Sequence, residues 1–66
     1  MLAMSDFWDY TVIISDDDYT ELVIVTLARD DDAGACEYAR LTFAANLGHA
    51  PGRYRTELMK KEKQSG

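Results

Sequence analysis

The chain is expected to adopt a small α+β fold: an antiparallel hairpin, extended by a third strand if one forms, with one helix packed across it. Three observations carry this expectation. "FWDYTVII" (residues 7–14) alternates large apolar residues along one face, "TELVIVTLAR" (20–29) is an almost unbroken apolar run, and "DDDAGACEYARLTFAANLG" (30–48) has helical spacing with a stop at its end.

In the first segment Trp8, Tyr10, Val12 and Ile14 share one face, opposite Phe7, Asp9, Thr11 and Ile13. Aromatic and β-branched residues in strict alternation describe a strand with one buried face. "SDDDY" breaks the alternation with turn-forming Ser and Asp and sets up a hairpin. The second segment is apolar on both sides, with Leu22, Ile24 and Ala28 on one and Val23, Val25 and Leu27 on the other, so it calls for a central, two-sided place in the sheet.

In the third segment Asp31 or Asp32 caps a helix, and acids in its first turn complement the helix dipole. Cys36, Ala39, Phe43 and Leu47 form its expected buried stripe, and its alanines allow close approach to a sheet. Gly48 supplies a left-handed stop, and Pro51-Gly52 a turn. Residues 53–59 then read as a third strand with Tyr54, Thr56 and Leu58 inward. Thr56 to Gln64 also contains good helix formers, with Glu57 and Lys61 at helical spacing. The strand is preferred because a bare two-stranded sheet is marginal in water. Residues 60–66 are expected to fray, and the 66 residues to form a single small domain.

The net charge of −5 is unevenly placed. Residues 1–37 hold ten acids and one base (net −9), and residues 38–66 hold two acids and six bases (net +4). An acidic half of this kind repels nucleic acid and anionic membranes and attracts proteins with basic clefts. The lone Cys36 excludes an intrachain disulfide and fits a reducing cytoplasm. No signal peptide is recognisable at the start, and the longest apolar run is too short to cross a bilayer.

Candidates for chemistry are few. Starting from Asp16 or Asp30, neither aspartate run matches the spacing of a calcium loop, so no metal is expected. His49 has no recognisable nucleophile or acid beside it, and Cys36 lies on the expected apolar stripe. No catalytic residue, cofactor or enzymatic activity is expected. Arg53, Tyr54, Arg55, Lys60, Lys61 and Lys63 form a basic tail that reads better as a solvated face, paired against the chain's own acids, than as a nucleic-acid site.

The acids remain as the functional signal. Asp16, Asp17 and Asp18 precede the second strand, and Asp30, Asp31 and Asp32 follow it. A ten-residue strand would hold the two runs about 33 Å apart. With Tyr19, Glu21 and Glu37 they make a candidate partner-binding set, in which carboxylates stand where DNA phosphates would. In size, in the runs "SDDDY" and "RDDDAG" and in strand–strand–helix order, the chain resembles the small acidic anti-CRISPR proteins of phages and mobile elements. The resemblance is one of kind over the whole chain, and the basic tail departs from a uniformly acidic mimic. It implies a non-enzymatic inhibitor in the cytoplasm of a bacterial host cell. Its partner would be a DNA-binding protein or CRISPR effector subunit with a basic cleft, with no direct contact to nucleic acid or membrane. The alternative is an acidic interaction module, such as an antitoxin or a small complex subunit. The oligomeric state is open.

Overall fold

A computed structural model describes residues 7–64. The element order is β1 (Trp8–Ser15), β2 (Thr20–Leu27), α1 (Asp32–Leu47), a 3₁₀ turn (Pro51–Arg53) and β3 (Arg55–Lys63). The three strands form one antiparallel sheet in the order β2-β1-β3, and α1 packs across one face of it. This is the expected small α+β fold, and the segment after Pro51 resolves as a strand. The β2–α1–β3 crossover skips β1, which lies between two strands that run the same way.

β1 holds the centre because its alternation is the sharpest. Tyr10, Val12 and Ile14 are buried against α1 and are the largest fully enclosed side chains. The expectation that the second strand takes the central place is corrected: β2 is an edge strand. Its Val23 and Val25 face the helix side, while Leu22 and Ile24 stay 55% and 70% exposed on the uncovered face. One helix covers only one side of a sheet, so apolar residues on both faces of β2 do not make it internal.

The hairpin turns through residues 16–19. The Asp16 carboxylate accepts the Asp18 and Tyr19 amides, each at 2.8 Å, and the Asp16 amide donates to the Tyr19 carbonyl at 3.0 Å. This is the side-chain-closed turn that aspartate favours. Helix α1 is capped by Asp31, whose carboxylate accepts the Gly34 amide at 2.9 Å. At the other end Gly48 takes φ 73°; its amide reaches the Ala45 carbonyl at 3.1 Å, and the His49 amide reaches Ala44 at 2.9 Å. Those two bonds close a Schellman motif and satisfy carbonyls that would otherwise be orphaned.

The buried stripe of α1 is Ala35, Ala39 and Ala44, with Cys36 and Phe43 flanking it, and Leu47 remains 52% exposed. The stripe is therefore rotated from the expected Cys36–Leu47 line. The bulk in the layer between helix and sheet comes from Tyr10 and Tyr54, so the helix contributes its smallest side chains. Tyr10 also ties the layers together: its hydroxyl donates to the Arg29 carbonyl at 2.9 Å and accepts the Asp31 amide at 2.6 Å.

β3 pairs with β1 as far as Lys63, and the Gln64 amide extends the ladder to Phe7 at 3.0 Å. The tail expected to fray from Lys60 is thus strand over residues 60–63, and residues 65–66 lie outside the described residues. The register slips between Thr11 and Val12, where Thr11 faces Lys60 and Val12 faces Leu58, leaving Met59 as the extra residue of a bulge. Before the bulge Thr56 and Leu58 face the helix side; after it Lys61 does, opposite Tyr10.

Candidate functional site

The acidic residues fall at two ends of β2, as expected, but closer: eight residues of strand span about 26 Å. At each end the chain's own bases meet them.

At the hairpin end the turn buries the Asp16 carboxylate to 5% exposure, where it receives Arg53 Nε at 3.1 Å. Asp17 is 97% exposed, with an Arg55 nitrogen 3.9 Å away. Asp18 is exposed and forms no direct ion pair, though it faces Arg53 across the turn, and Tyr19 projects with 72% of its surface in solvent. A polar cleft of about 220 Å³ runs between Asp16, Asp17 and Asp18 and the two arginines.

At the helix end Lys61 Nζ bonds Asp30 at 2.6 Å and Asp32 at 2.9 Å and stands 5.2 Å from the centre of the Trp8 ring. Asp31 receives Arg29 Nε at 3.2 Å in addition to its cap bond. Glu37 is held by Arg40 at 2.6 Å, one helical turn along α1. The bulge at Met59 directs Lys61 to this side of the sheet; an uninterrupted alternation after Leu58 would have placed Lys60 and Glu62 there instead.

Every lysine and arginine of the chain lies among the described residues. Six of the seven pair with a carboxylate, and Lys63 stands over Trp8 at 5.9 Å. The basic tail is thus largely turned onto the chain's own acids. Among the described residues, Asp9, Asp18, Glu21 and Glu57 have no such cation; Asp9 instead accepts Thr26 and Gln64.

These environments change acid strength at Asp16, Asp31 and Lys61. The Asp16 carboxyl is held below the usual aspartate value, first by the Asp18 and Tyr19 amides and then by Arg53. The Asp31 carboxyl is lowered by the Gly34 amide and by Arg29. Asp30 and Asp32 raise Lys61 well above an ordinary lysine. For a carboxyl depressed on folding, the stabilisation is complete above the unfolded value of 3.8 and is lost as pH falls through the lower folded value. The melting temperature is therefore expected to be level from neutral pH to about pH 5 and to fall below about pH 4. The slope should be shallow and salt-sensitive, because the two cations, Arg53 and Arg29, stand about half or more in solvent. A melting temperature that rises below pH 4 would contradict the assignment, and Asp16→Asn should flatten the acid limb.

The sequence does not reveal a second feature of the hairpin end. Tyr19, Glu21, Phe43, Leu47, His49 and Tyr54 line a mainly apolar cleft of about 440 Å³. Tyr54 is its floor, buried and set edge-on to Phe43 with ring centres 5.2 Å apart. Its hydroxyl bonds His49 Nδ1 at 2.5 Å. The lining holds no serine, threonine, cysteine or lysine, and the group bonded to His49 is the Tyr54 phenol. The one local hint of a His49–Tyr54 pair is the Pro51-Gly52 turn between them.

Among the described residues, no three His, Cys, Asp or Glu side chains gather to hold a metal ion, and no helix is long and apolar enough to cross a membrane. No protein-family model, curated protein or solved structure matches the chain.

Proposed function

We propose that this protein is a non-enzymatic inhibitor that binds the basic, nucleic-acid-binding surface of another protein, an anti-CRISPR acting on a CRISPR effector subunit in a bacterial cytoplasm. The observation that carries the reading is the hairpin end. Asp16, Asp17, Asp18 and Glu21 stand there against only Arg53 and Arg55, a local excess of two negative charges on a turn closed by its own side chain. A preorganised acidic loop loses little freedom on meeting lysines and arginines that otherwise hold phosphates. Asp17, Asp18, Tyr19 and Glu21 are the contact residues. Asp16 and Asp31 shape the backbone, and Asp30, Asp32 and Glu37 contribute least to contact because Lys61 and Arg40 already hold them.

The test is recovery of partners from bacterial lysate on the tagged protein, washed with competitor DNA or with salt. A DNA-binding partner released by both supports the reading. The doubly neutralised Asp17→Asn/Asp18→Asn chain should bind that partner at least about tenfold more weakly while melting as the parent does. Undiminished binding by that variant would exclude charge mimicry.

A second reading, a small subunit of a larger complex, is favoured by the outer face of β2, where Leu22 and Ile24 stand exposed on a strand that has one paired neighbour among the described residues. A partner that ignores DNA and survives salt, yet is lost on Ile24→Asp, would select it.

A further inference from the structure

We propose that the cleft between Tyr19, Glu21, Phe43, Leu47 and Tyr54 is a seat for an arginine side chain of the bound partner. This rests on the acidic-inhibitor reading and names the anchor that its hairpin end would grip.

Charge complementarity sets the occupant. Glu21 faces the helix side of β2, opposite Ile14, and lines the cleft. It is one of the few described carboxylates that no lysine or arginine of the chain reaches. Asp18, also without a direct ion pair, lies three residues away in the hairpin turn. The rest of the lining is largely aromatic or aliphatic, and two of its members, Tyr19 and Leu47, are 72% and 52% exposed. Apolar walls with one carboxylate suit a long apolar stem that ends in a cation. A guanidinium adds a planar face that stacks on tyrosine and a fork that matches a carboxylate. A volume of about 440 Å³ is within the range of sites that take small ligands.

The other end of the sheet shows the same chemistry satisfied internally. There Lys61 lies over the Trp8 ring and bonds Asp30 and Asp32, so an aromatic surface and carboxylates hold a cation supplied by the chain itself. At the hairpin end Arg53 and Arg55 line the aspartate cleft and not the aromatic one. Among the described residues no lysine or arginine lines the aromatic cleft, and its one imidazole, His49, is engaged by the Tyr54 hydroxyl, so the seat suits a cation brought by the partner.

The test is a titration of the whole labelled chain, followed by two-dimensional NMR, with N-acetyl-arginine amide and with its uncharged analogue N-acetyl-citrulline amide. Arginine should give saturable shifts centred on Tyr19, Glu21, Leu47 and Tyr54, with millimolar affinity. Citrulline, of the same shape, should bind about tenfold more weakly. Glu21→Gln should abolish the preference between the two probes without lowering the melting temperature, and Asp18→Asn should leave most of it. Equal binding of both probes, shifts centred on Asp17 or on Asp30 to Asp32, or no saturable shift would each overturn the proposal. The probe is a single residue, so the result does not depend on what the partner's surface normally binds. A DNA-displaceable partner with no arginine uptake would sink this seat alone, and arginine uptake with a salt-resistant partner would sink the mimicry alone.

Discussion

Replacing Tyr10 by alanine is expected to leave the chain unfolded at room temperature. Tyr10 is fully enclosed in the central strand, and truncating a buried aromatic costs about 3–5 kcal/mol. The single core of a 66-residue chain rarely supplies more than about 3–5 kcal/mol of net stability. The hydroxyl has a separate share, because it joins the Arg29 carbonyl and the Asp31 amide at the junction where β2 gives way to α1. Tyr10→Phe keeps the ring and leaves those two backbone groups without a protein partner. It should destabilise by about 1–3 kcal/mol, with the chain still folded. Urea unfolding followed by circular dichroism measures both. A Tyr10→Phe chain as stable as the parent would show that water replaces the hydroxyl at no cost. A folded Tyr10→Ala chain would show that the core does not depend on β1.

Enlarging Ala39 to leucine is the second large effect. Leucine is nearly as good a helix former as alanine, so helix propensity predicts almost no change. The structure predicts a loss of about 1–3 kcal/mol, because Ala39 is fully buried where α1 rests on the sheet and added methylenes must push the layers apart. Ala45→Leu, the same substitution at an exposed position of the same helix, should change stability by less than about 0.5 kcal/mol. Equal effects at the two positions would mean that the helix is not seated as described. A near-neutral Ala39→Leu would mean that the layer between helix and sheet is loosely packed.

The contrast between Ala39 and Ala45 shows where sequence reasoning stops. Both are alanines in one alanine-rich helix, and the stripe expected from spacing ran through Cys36, Ala39, Phe43 and Leu47. The helix turned instead to set Ala35, Ala39 and Ala44 inward, since the large rings it must clear belong to β1 and to the segment before β3. A helix chooses its buried face by what it packs against, and no periodicity within it records the shape of the opposing surface. The same holds for β2. Its two apolar faces describe a strand that prefers burial, but a single helix leaves one side of any sheet uncovered.

The candidate site divides in the same way. The two aspartate runs, their placement at the ends of β2 and the exposed Tyr19 were legible, because charge and turn chemistry are local. Their neutralisation was legible only as a tendency of the basic tail. Asp16 meets Arg53 across 37 residues and Asp30 meets Lys61 across 31, and no spacing rule links such pairs. Pairing separates the acids that shape the backbone, Asp16 and Asp31, from those free to meet a partner, Asp18 and Glu21.

Local chemistry in the sequence sets the elements and their punctuation: two strands and their aspartate turn, a helix capped by Asp31 or Asp32 and ended by Gly48, and a turn at Pro51-Gly52. These depend on neighbours within a few residues, and propensity, capping and alternation suffice for them. The tertiary structure alone decided that β1 is central, that Met59 bulges so that Lys61 swings to the acidic end, and that Glu21 closes an aromatic cleft with Tyr54. Each of these joins residues distant in the chain, and each was settled by which surfaces one helix and three strands can bury together.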